Sequence, residues 1–246
     1  MTLAVKAVKL TKKFKTFTAV NGVDFSVQSG EIFGFIGPNG AGKSTTIRML
    51  CGILAPTSGK ATVEGFDVDT QSDKIKEIIG YMSQKFSLYN DLTVAENIEF
   101  FSGIHDVPAD VMAERKNEIL EMSGLKGREN IITALLSGGW RQRLALGCSI
   151  IHRPKVLFLD EPTAGVDPLS RRDFWVLIRE LAKNGTTVFV TTHYMDEVEN
   201  CNRLALVYAG NIIAYGSPKE LKEEKKTQSL EELFVNSIRS YQKNEL

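Results

Sequence analysis

Three short segments of this chain are apolar at almost every position: Ile32 to Ile36, Val156 to Leu159 and Thr187 to Thr191. Runs of four or five are too short for a buried helix and predict buried strands. Val156 to Leu159 is suited to a central parallel strand covered on both faces. Ile78 to Ser83 predicts another buried strand, ending at Gln84, and Ala61 to Val63 a short one. Val5 to Leu10 and Val23 to Val27 are β-type runs that predict antiparallel strands, with Asn21-Gly22 as the turn signal between them. Leu204 to Tyr208 and Ile212 to Tyr215 flank Gly210-Asn211 and predict a hairpin.

Helical periods fall between these runs. Thr45 to Leu50 follows a glycine-rich turn, and Thr93-Val94-Ala95-Glu96 has capping-box spacing for a helix through about Phe101. An amphipathic stretch covers about Ala109 to Met122. Ser137 is a natural N-cap for a helix with Leu144, Cys148 and Ile151 on one face, stopped by Pro154. Leu169 to Lys183 predicts a helix. Lys219 to Lys226 is a charge-rich run, and Ser229 begins a second capping box with Leu233 and Phe234 behind it. Strands alternating with helices predict an α/β fold, with antiparallel strands in the first thirty residues and an all-helical insertion over about 85–152. No internal repeat is visible, which implies one nucleotide unit.

Composition narrows the class without changing the fold. The 246 residues can bury one substantial core, with 43% apolar and 24% charged side chains. Thirty basic and thirty acidic residues cancel, so no global field argues for nucleic acid or acidic membranes. No stretch approaches 18 apolar residues, so no membrane-spanning helix and no direct membrane insertion are expected. Met1 to Lys6 lacks the order of a signal peptide. Cys51, Cys148 and Cys201 are odd in number and lie inside apolar patterns, as small core residues in a reducing compartment would. The expected location is cytosolic.

The chemistry concentrates in Gly37-Pro38-Asn39-Gly40-Ala41-Gly42-Lys43-Ser44-Thr45. This G-x-x-x-x-G-K-S/T match lies between a buried strand and a helix, the context of a phosphate-binding loop. Glycines let successive N–H groups face one cavity, and the helix start adds its free N–H groups and dipole. Lys43 places a compact charge on the β- and γ-phosphates, and the Ser44 hydroxyl can ligate Mg²⁺. Asp160, closing a hydrophobic strand, suits direct or second-sphere binding of that Mg²⁺. Glu161, alternating to the strand's other side, can polarise an attacking water, an effect worth about 10²–10⁴-fold. Ser137-Gly138-Gly139 forms a second glycine-bounded helix start, hence a second anion site. Phe14, among lysines, could stack adenine at roughly 1–3 kcal/mol per base, or could anchor a hairpin together with Phe17.

Taken in order, these motifs resemble those of the nucleotide-binding subunits of ABC transporters over residues 1 to about 216. The resemblance rests on GPNGAGKST at 37–45, Gln84 at the Q-loop, LSGGW at 136–140 and LFLDEPT at 157–163. It also includes the D-loop Ala164-Gly165-Val166-Asp167 and His193 at the switch position. It implies a P-loop (RecA-like) core with a mostly parallel sheet, an N-terminal antiparallel β subdomain and a helical subdomain, followed by a short helical tail over 217–246. It implies ATP and Mg²⁺ as cofactors, with Gln84 ligating the metal beside Ser44 and Asp160, and reporting nucleotide state to the membrane partner. It implies that His193 contacts the γ-phosphate and orients water, and that Phe14 stacks adenine. Ser137 and the Gly139 backbone would cap the γ-phosphate held by a second ATPase subunit, identical or not. Separately encoded membrane-spanning subunits, at the cytoplasmic face of the cell membrane, would complete the machine. Phe86, Leu88, Tyr89 and Leu92 either offer an apolar cleft to a short helix of those subunits or pack the arm's own core. Trp140 departs from the usual glutamine and could stack on sugar or the neighbouring chain. Asp167 to Arg171 and Ser229 to Phe234 are similar to exporters of drugs, lipids or polysaccharides. The alternatives are an ABC-type ATPase without a transporter and a non-hydrolysing clamp.

Overall fold

The computed structural model describes residues 2–85, 87–225, 227 and 229–244. Strand β1 (Leu3–Phe14) turns through Lys15 and Thr16 into β2 (Phe17–Gln28). The hairpin turn is therefore not at Asn21-Gly22, which lies inside β2. Gly22 has φ of 58° there, opposite register shifts around Leu10, and its N–H donates to Thr11 Oγ1 at 3.0 Å. The glycine marks an irregularity in the ladder, which its freedom at positive φ allows.

The chain continues as β3 (Ile32–Ile36), α1 (Lys43–Leu50), β4 (Ser58–Val63), β5 (Phe66–Asp67), α2 (Ser72–Ile78) and β6 (Ile79–Met82). Three helices follow before the next strand: α3 (Val94–Ile104), α4 (Ala109–Ser123) and α5 (Gly138–Ile150). Then come β7 (Val156–Asp160), α6 (Pro168–Lys183), β8 (Thr187–Thr192), β9 (Arg203–Tyr208), β10 (Asn211–Gly216), α7 (Pro218–Glu224) and α8 (Leu230–Asn244).

One sheet is antiparallel, in the order β2-β1-β4-β5. The other runs β10-β9-β3-β8-β7-β6 and is parallel except for the β9–β10 hairpin. All residues of β3, β7 and β8 are buried, as their mostly apolar sequences predict. Phe33, Phe35 and Phe189 of the parallel strands meet Phe25 of β2, and Phe158 meets Phe189, with ring centroids 5.5–6.0 Å apart. That aromatic cluster fastens the antiparallel sheet, along with Ile47, Met49 and Leu50 of α1, to one face. The other face packs Leu157, Leu159, Val188 and Val190 against Leu146 of α5 and Phe174 and Ile178 of α6. Helix α5 serves two cores, because Leu144, Cys148 and Ile151 face α3 and α4 instead.

Thr93 caps α3 as its sequence predicts: Thr93 N–H donates to Glu96 Oε2 at 2.8 Å and Glu96 N–H to Thr93 Oγ1 at 3.2 Å. The charged run after Ser217 is itself a helix, α7, with a capping box of Ser217 and Glu220 and Pro218 in the first turn. Seven residues are too few to show a period. Leu221, Leu230 and Leu233 of the last two helices pack on Leu206 and Val198. All three cysteines are buried and free. Burial pushes each thiol above its usual range, as expected for core positions.

Candidate functional site

The glycine-rich loop joins the C-terminal end of β3 to α1, where parallel sheets gather ligands. It is pressed against its neighbours. A Cβ at Gly37 would collide with the Val207 carbonyl, and one at Gly42, which has φ of 101°, with the Ala19 carbonyl. Gly42 precedes α1 without a side chain to cap it, so the first N–H groups of the helix remain for a ligand. Lys43, 4% exposed, donates to Gly37 O at 2.7 Å and Pro38 O at 3.0 Å, and lies 2.9 Å from Glu161 Oε1.

Ser44 Oγ donates to Asp160 Oδ1 at 3.0 Å, and Thr191 Oγ1 donates to the same oxygen at 2.8 Å. Glu161 does not alternate to the far side of the strand as its position predicts. Its φ is 47°, so the chain turns at the end of β7 and brings both carboxylates into one site. A non-glycine residue held there costs of order 1–3 kcal/mol and needs firm surroundings. The Glu161 N–H has them, donating to Thr191 O at 3.1 Å and to Thr191 Oγ1 at 2.9 Å. The Glu161 carboxylate is 6% exposed. Its Oε2 accepts from His193 Nδ1 at 3.1 Å and from Gln84 Nε2 at 3.3 Å. His193 follows β8 directly and stacks near Tyr194, with ring centroids 4.2 Å apart.

Lys43, Ser44, Gln84, Asp160, Glu161 and His193 thus form one connected cluster, drawn from the ends of β3, β6, β7 and β8. Ser137, Gly138 and Gly139 stand apart at the start of α5. Ser137 is exposed and its side chain makes no capping bond, although it holds the N-cap position. Gly139 is buried, and a Cβ there would strike Ser170 of α6 at 2.5 Å from Oγ. Trp140 does not project freely. Arg128 covers one ring face at 4.0 Å, and the indole is half-buried against the core of α3 to α5. Phe14 and Phe17 are 44% and 59% exposed at the hairpin tip, which suits a stacking platform better than a packed anchor.

Three participants lack any signal in isolation. Thr191 touches both carboxylate residues, Gln142 donates to Pro162 O at 2.7 Å from full burial, and buried Glu197 accepts from Thr163 Oγ1 and Thr192 Oγ1. Thr191 and Glu197 belong to no motif, and Gln142 follows the signature only as one polar residue in a helix.

The donors facing Asp160 are hydroxyls, and the neighbouring groups are a carboxylate and an amide. Hard oxygen donors fit Mg²⁺, which takes one or two carboxylates and completes its sphere with phosphates and water. No group of three or more His, Cys, Asp and Glu side chains that could hold a metal alone occurs among the described residues.

A glycine loop feeding a helix start, a lysine over that loop and paired carboxylates on the adjoining strand define a P-loop nucleotide-binding protein. The family model for ABC transporters matches residues 20–164, and the chain belongs to that family. It is 49% identical over 244 residues to the probable multidrug ABC transporter ATP-binding protein YbhF of Escherichia coli K12. That alignment covers 97% of this chain and 42% of the relative, so the chain spans less than half of that protein's length. It is 37% identical to the linearmycin resistance ATP-binding protein LnrL of Bacillus subtilis, over 95% of this chain and 76% of LnrL. Among solved structures, the dimeric post-hydrolysis ATP-binding cassette MJ0796 bound to ADP and Pi superimposes with a TM-score of 0.78. It is 26% identical, and the match covers 87% of this chain and 98% of that one.

Proposed function

We propose that this chain binds and hydrolyses ATP to drive an ABC exporter. The observation that carries the reading is the Lys43–Glu161–His193 cluster beside Ser44 and Asp160. In it, the backbone of residues 37–45 and Lys43 hold the phosphates. Ser44, Asp160 and Gln84 would hold Mg²⁺, which when bound neutralises charge developing on the transferred phosphoryl group. Glu161, gripped at both carboxylate oxygens, takes the proton of the attacking water. His193 orients that water and the γ-phosphate, and Phe14 stacks the adenine.

Ser137, Gly138 and Gly139 complete the site in a second subunit. Their helix start faces solvent, and MJ0796 is a dimer with ADP and Pi. The N–H groups at a helix start, equivalent to roughly half a positive charge, suit a γ-phosphate. The catalytic unit covers residues 1–216 with the helical arm at about 85–152, and 217–246 forms a short helical tail. The relatives' multidrug and drug-resistance names favour an exporter of drugs over an importer.

The membrane partner docks on the arm. Tyr89, Phe100 and Ile104 are 44%, 39% and 56% exposed, and the Tyr89 and Phe100 rings meet edge-on at 4.5 Å. Asn97 fixes the Tyr89 backbone by bonds to both its N–H and C=O, at 2.9 Å each. Leu88 packs into the arm and the core instead, and Phe86 lies outside the described residues. An apolar helix partner covers such a patch at the cytoplasmic face; a free ATPase would have no use for it. No helix among the described residues is long and apolar enough to cross a membrane.

Phosphate release tests the reading. The full chain releases phosphate from Mg-ATP, and Glu161→Gln slows it by about 10²–10⁴-fold while ATP still binds. Unchanged turnover in Glu161→Gln would overturn the assignment.

A further inference from the structure

We infer that Glu197 is a positioning residue that holds Glu161 and His193 in register. The inference rests on the roles given to those two residues above. Glu197 lies in the 3₁₀ turn Met195–Asn200 that follows the switch histidine, and it is 1% exposed. A carboxylate so buried is tolerated only with close partners. It has one on each oxygen. Oε1 accepts from Thr163 Oγ1 at 2.6 Å, and Oε2 accepts from Thr192 Oγ1 at 2.6 Å. Arg171 Nε lies 3.7 Å from Oε1 and supplies the compensating charge.

The two hydroxyls belong to the two chain segments that hydrolysis must align. Thr163 is two residues beyond Glu161, in the turn that its left-handed backbone begins. Thr192 immediately precedes His193, and its Oγ1 also accepts from Tyr194 N–H at 3.0 Å, so its contacts straddle the histidine. One side chain therefore joins the end of β7 to the end of β8, beneath the 3.1 Å bond between His193 and Glu161. Gln142 grips the same turn from the other side through Pro162 O. Two clamps on three residues give the over-determined surroundings that Glu161 requires.

A carboxylate presents an acceptor to each threonine, whereas a glutamine of the same size presents one acceptor and one donor. That difference provides the test, made on the full chain with phosphate release for turnover and a fluorescent ATP analogue with Mg²⁺ for affinity. Glu197→Gln lowers kcat about tenfold, the effect of roughly one misaligned interaction, and leaves the analogue's Kd within twofold. Thr163→Val keeps both shape and Glu197, and shifts kcat in the same direction without changing Kd. The double variant is no slower than Glu197→Gln, because both changes break one linkage. If Glu197→Gln does not fold, Thr163→Val decides alone. A kcat within twofold of wild type, an affinity loss as large as the kcat loss, or independent multiplication of the two effects would overturn the inference. Wild type that turns over and is stopped by Glu161→Gln but not by Glu197→Gln leaves the site standing and removes only Glu197. Wild type without turnover sinks the site assignment itself.

Discussion

Two helices in this chain have glycines at their starts, and their surroundings are opposite. Helix α1 opens inside a buried cluster, where Lys43 has three acceptors from its own chain and the flanking loop is pressed between β2 and β9. Helix α5 opens at an exposed Ser137 whose side chain caps nothing, while the rest of the helix is bound to two hydrophobic cores. In the proposed reading, the first site holds ATP and is completed by the α5 start of a second subunit, whose Ser137 is exposed. The buried pair Lys43 and Glu161 would carry the chemistry, and the exposed helix start the assembly.

The strongest way to separate the two regions is to disable the first. Lys43→Ala removes the cation from the loop and leaves the N–H cradle. Hydrolysis should fall by at least about 10²-fold, the usual cost of losing one preorganised donor, and ATP affinity should fall with it. Phosphate release and calorimetric titration measure the two effects, and wild-type turnover would remove Lys43 from the site. A smaller effect is expected on the arm. Tyr89→Asp places a charge in the exposed aromatic patch and should cut capture of the membrane subunit roughly tenfold, as loss of an aromatic anchor does, with basal turnover unchanged. Undiminished co-purification would exclude that face.

The smallest effect concerns the arm's seat on the core. The His105 and His152 rings stack at 3.7 Å, and His152 Nε2–H donates to Ile79 O at 2.9 Å. Burial, reinforced by the neighbouring His105, pushes His152 down to about 4, and burial also lowers His105. The unfolded chain protonates His152 near pH 6.5 and the folded chain only near 4. The contribution to stability is therefore complete above 6.5 and shrinks as pH falls from 6.5 toward 4. Urea midpoints at pH 7.5 and 5.5 should show the decline before most carboxylates titrate. A flat profile over that range would mean that the ring pair does not titrate between the two states.

Much of this was legible in the residues. Apolar runs marked the centres of β3, β7 and β8, because strands buried on both faces have few polar positions, and those they have are hydrogen-bonded. The Thr93 and Glu96 capping box fixed the start of α3 to the residue. Backbone departures were less visible. Gly22 carries a turn signal yet bends a ladder, and Glu161 leaves the strand just where period-two alternation would keep it. Both depend on neighbours distant in sequence, Thr11 in one case and Thr191 in the other. Trp140 reads as an unusual member of a nucleotide motif, but Arg128 engages it from another loop. Helix α7 was hidden in a run of charges too short to show a period.

The central claim is that α5 of one subunit completes the phosphate site of another. Glu161→Gln lets ATP bind without being cleaved, and a ligand that binds only the closed dimer stabilises it by mass action. Size-exclusion chromatography with light scattering, at ATP well above its dissociation constant, should show Glu161→Gln as a monomer without nucleotide and a dimer with it. Adding Ser137→Arg should return it to a monomer. A dimer that forms equally without ATP, or one that survives Ser137→Arg, would contradict the account.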